Sequence, residues 1–172
     1  DFRYDEARLR AFHEDEVWGA LAALLACPVP LVAQIEGACM GAGLEIASCC
    51  DIRLASSGAK FGAPIAKLGF PMAPLELDVV ARVASEPLLR EMLLEARLLT
   101  AAAALQRGLV HAVVPDAEVA VLTLRRAQAL ATLSPQAAQR GVASRAVTGR
   151  ASRVNTGQGS SRLRELTKPL KR

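Results

Sequence analysis

The sequence predicts an α/β fold with mainly parallel strand pairing, and three observations carry that prediction. The 172 residues are 52% hydrophobic and 22% charged, which suits one domain with a real core and is far from the composition of a disordered chain. Segments whose apolar residues recur at helical spacing alternate with short apolar runs closed by glycine or proline. The alternation continues to about residue 139, the pattern expected when helices cross over between neighbouring parallel strands.

Leu9, Phe12, Val17, Leu21, Leu24 and Leu25 recur near helical spacing and predict an amphipathic helix over 4–26, stopped by Cys27-Pro28. Pro30-Leu31-Val32-Ala33-Gln34-Ile35 reads as a buried strand closed by Glu36-Gly37. Gly41-Ala42-Gly43 then leads into a small-residue helix over 44–50. Residues 51–55 alternate polar and apolar like a strand, and Lys60-Phe61-Gly62 resembles a second, shorter one. Residues 64–74, rich in proline and glycine, predict a loop. Helices follow over 75–84, 87–98 and 101–107, the last with Thr100 as N-cap and Gly108 as C-terminal stop. Residues 109–114 form a strand candidate ending at Pro115; Asp116 is placed to cap a helix to about 133, and Ser134-Pro135 to begin another. These readings give a core over 1–139 and an atypical basic tail over 140–172. Poor order is predicted from about 150, because Asn155-Thr156-Gly157-Gln158-Gly159-Ser160-Ser161 has no apolar period.

The net charge of +4 is unevenly placed. Residues 1–139 hold 12 Lys and Arg against 16 Asp and Glu, a balance of −4, whereas residues 140–172 hold nine against one, a balance of +8. Aromatic residues are 3% of the chain, with none after Phe70, so the basic segment lacks stacking groups and nucleic-acid binding is not expected. No run of 18 apolar residues is present, and Asp1-Phe2-Arg3-Tyr4-Asp5-Glu6 lacks the basic and apolar regions of a secretory signal. Neither a membrane partner nor export is expected. Cys27, Cys39, Cys49 and Cys50 form no C-x-x-C pair, which favours reduced thiols, a cytoplasmic location and no metal site.

The segment Glu36-Gly37-Ala38-Cys39-Met40-Gly41-Ala42-Gly43-Leu44-Glu45 carries the chemistry. It contains neither the dinucleotide fingerprint nor a phosphate loop. It offers a strand, a turn of small residues and a helix start, whose first N–H groups lack intrahelical partners and carry the positive end of the helix dipole. Such a turn presents an N–H to an oxygen that becomes negative during reaction. Glu45 lies within the first turn, as an acid/base group or as a carboxylate that complements the dipole.

At these residues the chain resembles the crotonase, or enoyl-CoA hydratase/isomerase, superfamily. The similarity runs through Pro28 to Ala33, Gly37, Gly41-Ala42-Gly43-Leu44-Glu45-Ile46-Ala47, Cys50 to Ala55, Ala59-Lys60-Phe61-Gly62-Ala63-Pro64 and Lys67-Leu68-Gly69. It continues in Glu91 to Leu94, Ala101 to Ala104, Gly108-Leu109-Val110 and Val113-Val114-Pro115, covering most of residues 1–139. The resemblance implies a partial β-β-α spiral core with C-terminal helices, acting on an acyl-CoA thioester. Coenzyme A enters as part of the substrate, with no separate cofactor. It also implies that Ala42 N–H is one of two donors to the thioester oxygen of an enolate, and that Glu45 is the first of two acid/base glutamates. Gly41, Gly43, Ile65, Leu68 and Gly69 are then the positions set against substrate. It further implies lyase or isomerase activity in fatty acid metabolism and assembly into homotrimers or hexamers.

Three features depart from the family pattern. Ile65 stands where the second glutamate is expected and can neither give nor take a proton, which favours one-base isomerisation over hydration. Phe70-Pro71-Met72-Ala73-Pro74-Leu75-Glu76-Leu77-Asp78 replaces a glycine-rich loop. Within it, Glu76 or Asp78 is a candidate replacement carboxylate, with solvated helix positions as the simpler reading. The family's early strands and its other N–H donor would precede Asp1. A crotonase-like acyl-CoA-binding or assembly subunit without turnover is the alternative reading. Elsewhere, His13 reads as a solvated helix residue, His111 as a strand-surface residue, Asp51 as a structural group between helix and strand, and Trp18 and Cys39, Cys49 and Cys50 as packing.

Overall fold

The computed structural model describes residues 5–69 and 72–151, with side chains to residue 143. Its centre is two three-stranded sheets. In one, β1 (Val32–Ile35), β3 (Ile52–Ser56) and β6 (Ala112–Val114) run parallel, with β3 in the middle. In the other, β2 (Ala38–Met40) pairs in parallel with β4 (Lys60–Gly62), which pairs antiparallel with β5 (Leu99–Thr100). Twice in succession the chain lays one strand in each sheet and then enters a helix, which is the β-β-α spiral implied by the family resemblance. Strand β5 is not anticipated, because two residues are too short to display an alternating period, and the bounds of β2 are set by its pairing with β4.

The helix predicted over 4–26 is present in three parts: α1 (Glu6–Ala11), a π-helical stretch (Phe12–Val17) and α2 (Trp18–Leu25). Asp5 caps it by accepting from Arg8 N at 3.1 Å. The small-residue helix is α3 (Ala42–Cys49), two residues earlier than predicted at its start. The proline- and glycine-rich stretch contains a short helix, α4 (Ile65–Leu68), closed by Gly69 in the left-handed region. The next helices, α5 (Pro74–Ala81), α6 (Glu86–Leu94) and α7 (Ala101–Gln106), are slightly shorter than predicted. Thr100 caps α7 as expected, accepting from Ala103 N at 3.2 Å.

Two differences from expectation have local causes. After Gly108, at φ +74, the N–H groups of Leu109 and Val110 both return to Ala104 O at 2.8 and 3.4 Å. They close α7 in the manner of a left-handed cap and are unavailable to a ladder, so β6 begins only at Ala112. Asp116, expected to cap a helix, instead accepts from Gly58 N and Ser57 Oγ, each at 2.9 Å. The chain then makes a 3-10 turn (Asp116–Glu118) before α8 (Val119–Ala131). Helix α9 (Pro135–Ala151) starts where Ser134-Pro135 predicts and carries the chain into the basic tail. The expectation of poor order falls almost wholly on 152–172, outside the described residues.

One main core joins the sheets to α5, α6 and α7 through Phe61, Val80, Leu88, Met92, Leu99 and Leu109. Burying side chains of this kind contributes roughly 1.5–3 kcal/mol each. Many of its other members are alanines, including Ala47, Ala55, Ala59, Ala63, Ala101 and Ala104, so elements approach closely. At Gly62 the approach is closer than a methyl group allows: a Cβ would stand 2.7 Å from Leu98 Cδ2 and 3.1 Å from Arg97 O. A smaller cluster of Leu21, Cys49 and Val79 ties α2 to α3 and α5, with Trp18 packed on it as expected.

Candidate active site

The helix that carries Glu45 is fixed at both ends. At its start Gly41 adopts φ 49 and ψ −120, a conformation that a side chain strongly disfavours. Gly41 N donates to Gly62 O at 3.2 Å, so the turn is tied to the end of β4. The first intrahelical bond runs from Glu45 N to Gly41 O at 3.0 Å, and no side chain caps this terminus. The N–H groups of Ala42 and Gly43 therefore precede the first intrahelical donor, Glu45 N, and have no acceptor within the helix, and both residues are exposed. At the other end the buried Arg53 guanidinium donates to Cys50 O at 2.5 Å, Ala47 O at 3.4 Å and Leu109 O at 2.8 Å. A cation among the last carbonyls of α3 complements the negative end of its dipole.

Glu45 sits in the first turn and is only 4% exposed. Burial pushes its carboxyl from 4.5 up to about 7; the charge of Glu76 adds to this rise and His13 opposes it. The fold therefore holds a carboxyl near neutrality beside two N–H groups at the positive end of a helix.

Glu76 is not a solvated helix position. It lies on α5 at 3% exposure, and its Oε1 is 2.6 Å from His13 Nδ1. Its inward direction follows from spacing: Val79 and Val80, three and four residues on, are fully buried on the same face. His13, also read as solvated, lies on the π-helical stretch with its ring 27% exposed. It has one side in solvent and one on Glu76. The only sequence signal for this pairing is an acidic residue inside the apolar run of α5; the distant His13 gave none. Asp78 is exposed, as its reading as a solvated helix position expects.

Ile65, Leu68 and Gly69 lie on or at the end of α4, a different element from that of Gly41, Ala42, Gly43 and Glu45. The two segments are joined through the pairing of Met40 with Gly62. Leu68 is 62% exposed. Asp51 is structural, its Oδ2 accepting from Leu31 N at 2.8 Å, which ties the starts of β1 and β3 together. His111 Nδ1 accepts from Arg53 N at 3.1 Å just before β6. Burial and the nearby Arg53 and Arg126 lower the pKa of His111. Cys39 and Cys49 are buried, whereas Cys27 and Cys50 are half-buried; none of the four is in a disulfide. Burial pushes the Cys39 thiol up to about 11, so it is an unreactive packing residue.

A shallow hollow lined by Ala33, Ile35, Cys39, Gly43 and Ile46 reaches the first turn of α3. A more apolar hollow between Pro28, Val29, Pro30 and Leu130 is lined, among the described residues, by no ionisable side chain. Among the described residues, no group of three or more His, Cys, Asp or Glu is arranged to hold a metal. No described helix is long and apolar enough to cross a membrane.

The chain matches known proteins in sequence and in fold. The family model for enoyl-CoA hydratase/isomerase matches residues 3–166, beyond the point near 139 at which the resemblance was read to fade. The chain is 34% identical over 110 residues to the (E)-benzylidenesuccinyl-CoA hydratase of Thauera aromatica, covering 64% of this chain and 43% of that enzyme. It is 33% identical over 115 residues to the human mitochondrial Delta(3,5)-Delta(2,4)-dienoyl-CoA isomerase, covering 66% of this chain and 35% of that one. The chain thus spans less than half the length of these curated relatives. The crystal structure of an enoyl-CoA hydratase/carnithine racemase from Magnetospirillum magneticum superposes with a TM-score of 0.79 at 31% identity, over 99% of this chain and 69% of that one. By sequence match and by fold, the chain belongs to the enoyl-CoA hydratase/isomerase family.

Proposed function

We propose that the chain acts on acyl-CoA thioesters through an enolate, with Ala42 N–H as an oxyanion donor and Glu45 as the acid/base group. One observation carries this reading: a buried carboxyl held near neutrality within one turn of N–H groups that have no acceptor in their own helix. A thioester oxygen placed at the start of α3 gains negative charge when the neighbouring carbon loses a proton, and the N–H and helix dipole stabilise that charge. A carboxyl near 7 exists in both forms at neutral pH, so Glu45 can take a proton from carbon and give it back. The names of the relatives, a hydratase and an isomerase of CoA thioesters, support the substrate class.

Replacing Glu45 with Gln keeps the shape and removes the base. Turnover of crotonyl-CoA or but-3-enoyl-CoA is expected to fall by about 10²-fold or more, with acyl-CoA affinity by calorimetry nearly unchanged. An unaltered kcat would remove Glu45 from the mechanism. Wild-type protein that binds these thioesters without turning them over would select the alternative, an acyl-CoA-binding subunit.

A further inference from the structure

The position at which the family resemblance implies a second acid/base group is occupied by Ile65, yet the site holds a second buried carboxyl that comes from another element. We propose that Glu76 and His13 form a proton relay serving the same site, in which Glu76 takes the place of the carboxyl that Ile65 cannot supply and His13 connects it to solvent. This inference rests on the reading of Glu45 as the group that removes the proton from carbon.

The geometry supports each part of the relay. Helix α5 packs against α3, and both pack against α2, which continues the π-helical stretch that bears His13. Glu76 is buried on a helix packed against that of Glu45, its charge adds to the rise of the Glu45 carboxyl, and it is bonded to His13 at 2.6 Å. A buried carboxyl needs a hydrogen-bonding partner, but a structural role alone would be served by an amide or a hydroxyl. Here the partner is an imidazole, which can both accept and donate a proton through its two ring nitrogens, and its ring is partly open to water. The π-helical stretch accommodates an extra residue per turn at the position of His13, an irregularity often found at functional sites.

The proton balance is closed. Glu45 as carboxylate takes a proton from the carbon beside the thioester carbonyl, leaving the electron pair as enolate. The His13–Glu76 pair delivers a proton to the acyl chain through Glu76, and the electron pair of the enolate forms the new C–H bond. Glu45, buried away from water, then passes the proton it took to Glu76, and His13 exchanges the protons of the pair with solvent. No oxidant or further reactant is needed. A single carboxylate returning the proton it removed would transfer it within the substrate; the relay brings in solvent protons instead.

Exchange of the C2 hydrogens of butyryl-CoA in deuterated water, followed by NMR with the full 172-residue chain, reads this directly. Glu76→Gln and His13→Ala are expected to lower exchange by about 10²-fold with butyryl-CoA affinity unchanged. Added imidazole is expected to restore exchange to His13→Ala and to do nothing for Glu76→Gln. A packing role does not predict that rescue. Equal exchange in wild type, Glu76→Gln and His13→Ala, with Glu45→Gln inactive, would overturn the relay alone; exchange surviving in Glu45→Gln would overturn the reading beneath it. If Glu76→Gln fails to fold by circular dichroism, His13→Ala decides, because loss with imidazole rescue supports the relay and unchanged exchange refutes it.

Discussion

Replacing Glu45 with Gln is expected to stabilise the protein in alkaline solution while disabling its chemistry. The carboxyl is held at about 7 in the folded chain against 4.5 when unfolded. The folded value is the higher one, so the fold favours the neutral form. That contribution is fully present below pH 4.5 and is lost as pH rises through about 7. At 1.36 kcal/mol per pKa unit the full loss has an upper value of ~3 kcal/mol. Gln is neutral throughout and escapes it. For a chain of this size 1 kcal/mol corresponds to roughly 2–4 °C in Tm, so the variant gains up to ~10 °C near pH 8.5 and almost nothing near pH 4. Thermal unfolding by circular dichroism across this range is the assay. A Tm difference that is flat with pH, or a Gln variant less stable than wild type above pH 8, would refute the burial of an ionising carboxyl.

Ala42→Pro removes the proposed oxyanion donor at the first helical position, where proline is tolerated; turnover should drop by about 10²–10³-fold with Tm changed by only a few degrees, and full activity would exclude that N–H. Arg53→Met strips donors from three carbonyls, two of them in buried hydrogen bonds, and should cost roughly 2–4 kcal/mol in urea unfolding; a loss below 1 kcal/mol would show that water replaces the guanidinium at no cost.

The legible part of the fold was what periodicity and punctuation encode. The first helix, β3, β4 and the Thr100 and Gly108 boundaries of α7 all stood in the sequence, because each is set by local spacing or by one residue with a conformational preference. Strand β5 is not legible, since its ladder bonds to β4 and not its own pattern make it a strand, and the same pairing sets the bounds of β2. The same division runs through the site. Ala42 and Glu45 stand on one continuous segment, so their proximity follows from the strand, turn and helix that carry them. His13 and Glu76 are 63 residues apart and meet only because α2, α3 and α5 share a small core. Glu76 therefore passed for a solvated residue until tertiary packing turned it inward.

The pH dependence of C2 hydrogen exchange in butyryl-CoA tests the central claim most directly, because it measures proton removal from carbon and the ionisation of its base together. The account predicts that exchange by wild type rises with pH through a midpoint near 7 as Glu45 becomes the carboxylate, and that the Glu45→Gln variant is about 10²-fold slower throughout. A midpoint near the ordinary carboxyl value of 4.5, or exchange by Glu45→Gln equal to wild type, would contradict it.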